Sequence, residues 1–252
     1  MKKIILLSAI LFFSATQIWA QEKMYSNYPM LGDDAPAFTA ESTKGTVNFP
    51  ADYNTQWKVL FSHPADFTPV CTSEILELAA AQKDFDDLGV KIVVMSVDNL
   101  QSHNEWIKSM ETINYKDRET FKINFPLVSD VSLQVSRAYG MIQPNGKVQA
   151  NTHSTKDVRG VFIIDPKNKI QAIFFYPMNI GRNLAEIKRT IVALQTAEME
   201  QVLIPANWNK GEDVLIPYIK YTSEEDKLTD NTNPDYYQYS WYMRFKKGSN
   251  QQ

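Results

Sequence analysis

Residues 58–74 read Lys58-Val59-Leu60-Phe61-Ser62-His63-Pro64-Ala65-Asp66-Phe67-Thr68-Pro69-Val70-Cys71-Thr72-Ser73-Glu74, and this stretch decides the fold. Lys58 to Ser62 is a short apolar run with strand character. From Thr72 to Leu88, Ile75, Leu76, Leu78, Ala79, Phe85 and Leu88 recur at helical spacing, and Gly89 closes the segment. Cys71 therefore stands at, or in the first turn of, a helix that follows a strand and a loop. Unpaired backbone amides and the positive end of the helix dipole converge there. A thiol so placed has its anionic form stabilised, and the thiolate is the reactive form. Pro64 and Pro69 stiffen the intervening loop, and Thr68 can aim a hydroxyl at the thiolate or its substrate.

The pattern continues outward on the C-terminal side. Val90 to Val97 is nearly continuously β-branched, as in a strand buried on both faces. Ser102 with Glu105 predicts a capping box for a helix to about Met110. Residues 126–129 predict a short strand and 132–139 a helix. Arg159 to Asp165 and Lys169 to Tyr176 read as strands joined at Pro166-Lys167-Asn168, a hairpin signal. Asn183 to about Glu200 is a long amphipathic helix. Alternating strands and helices, then a hairpin and a last helix, predict an α/β sandwich with a mixed sheet. After Val202 the helical period stops and prolines punctuate the chain. A small β-rich extension is expected over 203–247, after a main domain over 29–202. The aromatic run Tyr236 to Tyr242 is read as core or subunit interface rather than a ligand platform.

The whole chain has 252 residues, a formal net charge of -3 and a single cysteine. There is no basic surplus to hold a nucleic acid backbone, and an internal disulfide or a cysteine-based zinc site is impossible. Lys2 and Lys3 precede an apolar stretch from Ile4 to Phe13, and a less apolar segment leads to Ala20 and the polar Gln21-Glu22-Lys23. This is the layout of a secretory signal peptide over 1–20, too short in its apolar part to span a bilayer comfortably. Export to a periplasmic or extracellular space is expected, with no stable membrane insertion after cleavage. Exported proteins usually hold cysteines in pairs. A lone one is either buried and inert or exposed and useful.

Pro64-x-x-x-Thr68-x-x-Cys71 resembles the active-site motif of the peroxiredoxins, thiol-dependent peroxidases on a thioredoxin-like fold. Residues 61–74 are similar to the one-cysteine branch of that family, the group related to peroxiredoxin 6. Residues 157–165 resemble the strand bearing its active-site arginine, residues 176–183 the segment before its last helix, and Pro205-x-x-Trp208-x-x-Gly211 the start of its C-terminal extension. The likeness runs from about Leu31 to Phe245. It implies that Cys71 is the peroxidatic nucleophile, which a peroxide oxidises to a sulfenic acid. Arg159 would supply fixed positive charge, and Glu74 would orient it. Thr68 would hydrogen-bond thiolate and peroxide, and Pro64 would shield the sulfur. Arg182 is either a second arginine near the site or a solvated helix-start arginine, and His63 is a candidate supporting polar group near the sulfur. The resemblance also implies at least a homodimer.

His103 is read as a solvated residue of a surface helix, and His153 as part of a polar loop. Three scattered histidines make no metal site, and no cofactor is expected. Some one-cysteine peroxiredoxins are credited with phospholipase activity through a serine and a histidine, but residues 49–57 contain neither, so that activity is not carried over. With no second thiol, the reductant must be an external small or protein thiol. Two alternatives compete: a thioredoxin-like binding or chaperone module without catalysis, which predicts erosion around Cys71, and a thiol-disulfide reductase, which lacks its second cysteine because Glu74 fills that position. N-terminal sequencing of the protein from its native envelope should begin at or near Gln21; a mature chain starting at Met1 refutes cleavage.

Overall fold

The computed structural model describes residues 28–142, 156–217 and 234–249. The expected signal peptide and His153 lie outside the described residues. Ten strands and five α-helices follow in order: β1 Phe38–Ser42, β2 Gly45–Phe49, β3 Trp57–Ser62, α1 Pro69–Ala80, α2 Gln82–Asp87, β4 Val90–Ser96, α3 Leu100–Met110, β5 Leu127–Ser129, α4 Gln134–Ala138, β6 Arg159–Ile164, β7 Ile170–Tyr176, α5 Leu184–Glu200, β8 Val214–Leu215, β9 Tyr236–Ser240 and β10 Met243–Lys246.

Seven strands form one mixed sheet in the order β2-β1-β5-β4-β3-β6-β7. The pairs β3–β4 and β4–β5 are parallel, and the others are antiparallel. Strand side chains alternate between faces, and the central strands have apolar residues at both parities. Val59, Phe61, Ile92, Val94, Val161 and Ile163 therefore pack on one face with Ile75 of α1, Trp106 of α3 and Ile187 and Ile191 of α5. Leu60, Val93, Met95, Phe162 and Ile164 pack on the other with Val135 of α4 and Tyr139. Covering on both faces is what a nearly continuous β-branched strand demands. The thioredoxin-like α/β architecture expected from the sequence is present.

Local expectations fare unevenly. The helix expected over residues 72–88 is two helices, broken at Ala81, whose N–H bonds back to Glu77 O at 3.0 Å. The break accompanies complete burial of Phe85 in the core of the α1 face, a tertiary gain that no glycine or proline announces. Gly89 ends the second piece with φ +68°, a left-handed conformation that glycine takes at little cost. The Ser102–Glu105 capping box is not the cap of α3. Asn99 is, its Oδ1 accepting from Ser102 N at 2.9 Å, while the Ser102 hydroxyl donates to Asp66. The β1–β2 hairpin had no sequence expectation, because its residues alternate between exposed and half-buried or buried positions with few bulky apolar groups.

The C-terminal extension is the three-stranded antiparallel sheet β8-β10-β9. Val202, Trp208 and Val214 pack on Ala193 of α5, and Leu203 bridges to Leu215. Tyr237 stacks on Phe245 at 5.1 Å, yet Tyr239 and Tyr242 are 75% and 63% exposed. The aromatic run is thus only partly core. Among the described residues no helix is long and apolar enough to cross a membrane.

Candidate active site

Strand β3 delivers the chain to Ser62, the loop 63–68 turns it, and Pro69 opens α1 at the position where a missing N–H costs nothing. Cys71 is the third residue of α1, so the helix-start placement expected from the spacing is realised. Cys71 is nevertheless completely buried. The choice between buried-inert and exposed-useful is therefore corrected: the thiol is buried against charge. The Nη1 of Arg159, the first residue of β6, donates to the Cys71 sulfur at 3.2 Å.

The arginine is held from two sides. Its Nη1 also donates to Glu74 Oε2 at 2.6 Å, and its Nε donates to the Met178 carbonyl at 3.0 Å. Glu74 lies three residues after Cys71 on α1, one turn along, so both side chains reach the same face. Arg182 meets the same carboxylate: Nε donates to Oε1 at 2.8 Å, Nη2 to Oε2 at 2.9 Å, and its own backbone N–H to Oε1 at 2.7 Å. Its Nη1 ties the Ser62 and Gly160 carbonyls, at 2.7 and 2.9 Å, and its guanidinium lies over Phe61. Arg182 is no solvated helix-start residue; it is a buried strut between β3, β6 and α1. Burial alone pushes the Glu74 carboxyl up, but the charge and hydrogen bonds of Arg182, with Arg159 behind, hold it below its ordinary range. Burial lowers Arg182, and Glu74 opposes that.

Pro64 is buried in the loop, and Thr68 precedes α1 as its N-cap residue. The Thr68 hydroxyl gives its proton to Ala65 O at 2.9 Å, closing the loop on itself, and not to the sulfur as expected. The hydroxyl oxygen keeps its capacity to accept a hydrogen bond. The His63 Nε2 faces Asp66 Oδ1 at 2.9 Å. Its ring lies 5.1 Å from Trp106, whose indole N–H reaches Thr72 at 3.2 Å, so the link to Cys71 runs through that indole. His103 is also wholly buried and faces Asp66 from the other side at 2.8 Å. It is not solvated, and with His63 it is not scattered: ligating atoms of His63, Asp66 and His103 lie within 4.8 Å of one another. The separation of 40 residues between the histidines hid this, and no local spacing signals it. Among the sequence-named residues, Cys71, Glu74, Arg159 and Arg182 come together directly, and Pro64, Thr68 and His63 line the loop beside them.

Residues 31–173 match the AhpC/TSA family, and residues 193–228 match the C-terminal domain of 1-Cys peroxiredoxin. The chain is 47% identical over 190 residues to a peroxiredoxin of Methanosarcina mazei, covering 75% of this chain and 84% of that one. It is 41% identical over 207 residues to the mitochondrial peroxiredoxin PRX1 of Saccharomyces cerevisiae, covering 81% and 78%. Two solved structures share its fold. The yeast mitochondrial 1-Cys peroxiredoxin has a TM-score of 0.73 at 39% identity, covering 87% of this chain and 99% of that one. Peroxiredoxin 6 of Arenicola marina has 0.74 at 30%, covering 87% and 98%. A thioredoxin-like sheet with a lone thiol on a buried arginine, joined to these likenesses, defines the class: a thiol-dependent peroxidase. The chain belongs to the peroxiredoxins, in their one-cysteine branch.

Glu74→Gln leaves two buried guanidinium groups sharing no anion, and removing one partner of a buried ion pair costs about 3–5 kcal/mol. Because the folded carboxyl lies below its ordinary value, the Glu74 contribution is present at neutral pH and disappears as pH falls through the folded value. Urea unfolding from pH 7 down to pH 3 should show a large loss in the variant at pH 7 that narrows towards acid. An equal loss at every pH contradicts this account of the pair.

Proposed function

We propose that Cys71 is the peroxidatic nucleophile, activated by Arg159, in an exported enzyme that takes its electrons from an external thiol. The observation that carries the assignment is the 3.2 Å contact between Arg159 Nη1 and the Cys71 sulfur in a fully buried setting. Fixed positive charge against the sulfur favours its anion. The thiolate attacks one oxygen of a peroxide, the O–O bond breaks, and the other oxygen leaves with its electron pair and takes a proton to become water or an alcohol. Cys71 is left as a sulfenic acid. Arg159 also stabilises the charge that develops on the departing oxygen, a preorganised effect in a site shielded from water. Thr68 accepts from the peroxide O–H, Pro64 shields the sulfur, and Glu74 with Arg182 holds Arg159 in place.

A thiol R–SH then condenses with the sulfenic acid, forming a mixed disulfide and releasing water, and a second thiol releases Cys71 as the thiol with R–S–S–R. The yeast relative is described as using glutathione and thioredoxin systems; here a small or protein thiol of the exported compartment fills that role. The signal-like 1–20 segment supports export. The exposed Tyr239, Trp241 and Tyr242, together with Phe175 on edge strand β7, support a homodimer or larger assembly.

Mature protein with excess dithiol should consume hydrogen peroxide, and Arg159→Met should slow this by roughly a hundredfold or more, the scale of a lost preorganised charge. Unchanged rates in that variant sink the assignment. Withholding reductant should carry the buried sulfur to sulfinic acid. Intact-mass spectra are expected to show one added oxygen, then two, in peroxide alone, and a thiol adduct when thiol is limiting. Cys71→Ser should lack these changes, with methionine oxidation mapped separately. A covalent dimer as the main product of stoichiometric peroxide overturns the scheme.

A further inference from the structure

Asp66 sits in the middle of the loop that carries Pro64 and Thr68, and its side chain is turned inward. Three donors converge on the carboxylate: Ser102 Oγ at 2.7 Å, His103 Nδ1 at 2.8 Å and His63 Nε2 at 2.9 Å. The Asp66 backbone N–H donates to Asp98 Oδ2 at 2.8 Å, and that carboxylate is itself held by the Ser96 hydroxyl. Loop 63–68 is therefore pinned to the first turn of α3.

Both imidazoles are wholly buried, so their protons follow from the atoms they face. His103 Nε2 faces the Val128 carbonyl at 3.2 Å. A carbonyl only accepts, so Nε2 carries a proton. His103 Nδ1 faces the Asp66 carboxylate, and that contact needs a proton too. Burial raises the Asp66 carboxyl, but hydrogen bonds from His103 and His63 outweigh it and hold the group well below the usual carboxylate range. One proton lies between Nδ1 and Asp66, so both ring nitrogens of His103 are hydrogen-bonded. His63 differs. Its Nε2 pairs with Asp66, its Nδ1 has no hydrogen-bond partner among the described residues, and burial lowers it against the pull of Asp66. The spacing of these ligating atoms would suit a metal ion, but the His63–Asp66 and Asp66–His103 contacts are already hydrogen bonds that hold protons.

We propose that His103 is a positioning residue of the peroxidase: hydrogen-bonded through both ring nitrogens, it anchors Asp66, and through Asp66 it fixes the loop that sets Pro64 and Thr68 beside Cys71. This rests on the reading of Cys71 as nucleophile. Glutamine in place of His103 cannot donate at both ends, because one of its terminal atoms is an acceptor facing an acceptor. The loop loses its anchor while Arg159 and Glu74, on β6 and α1, keep theirs.

The test uses the full mature protein at pH 7. In His103→Gln the rate constant with hydrogen peroxide should fall roughly ten- to a hundredfold, the scale of a misplaced reacting geometry. Alkylation of Cys71 by iodoacetamide, which needs the thiolate and access to the buried sulfur but no aligned peroxide pocket, should not fall, because a loosened loop only opens the sulfur. An unchanged peroxide rate, or parallel falls in both reactions, overturns the proposal. If His103→Gln does not fold, Ser102→Ala removes one donor from the same carboxylate and should show the same split at smaller size; no split there is equally fatal. Failure of the nucleophile assignment is separately visible, since Cys71→Ser would then keep its peroxidase activity.

Discussion

A single carboxylate holds the site together. Glu74 accepts from two buried guanidinium groups, and all three charges lie at the junction of α1, β6 and the approach to α5. Two cations against one anion leave one positive charge over, and it faces the Cys71 sulfur. In a medium of low polarity an unbalanced charge is costly. The thiolate proposed for Cys71 would meet that remaining charge. Arg182 adds the mechanical part, since its contacts with Ser62 O, Gly160 O and Glu74 lock the end of β3 to β6 and to α1.

The loop between β3 and α1 is the second constraint. It places a proline, a threonine and a helix start within a few residues of one another, and it includes Phe67 at φ +53°. Short-range chemistry alone does not hold such a segment. The Thr68 hydroxyl closes it from within, and Asp66 fastens it to α3 from outside. A helix without a reacting group thereby becomes part of the peroxidase, and the buried histidines become loop fasteners. Full burial of the sulfur accompanies the same closure.

The residues to which the chemistry is assigned were legible in the sequence because they are local or sit in ordered motifs. Pro64, Thr68, Cys71 and Glu74 fall within 11 consecutive positions, and strand, loop and helix start follow from apolar spacing there. The β6–β7 hairpin and α5 were equally readable, since their signals lie in turn residues and helical period. The break at Ala81, the Asn99 cap and the β1–β2 hairpin were not. Each depends on what the segment packs against: Phe85 enters the core, Ser102 is taken up by Asp66, and β1 pairs with β5 only at its end.

The sequence by itself determined the fold class, the placement of Cys71 at a helix start and the absence of any second thiol to resolve it, because these are properties of composition and of near neighbours. Tertiary structure alone decided that Arg182 is a strut and not a solvated side chain, that Thr68 turns its proton to Ala65, and that His63 and His103 meet across Asp66. The reason is physical: a charged or titratable side chain takes its state from the groups the fold sets against it, and those partners are separated along the chain by 37 residues for Asp66 and His103 and by 108 for Glu74 and Arg182.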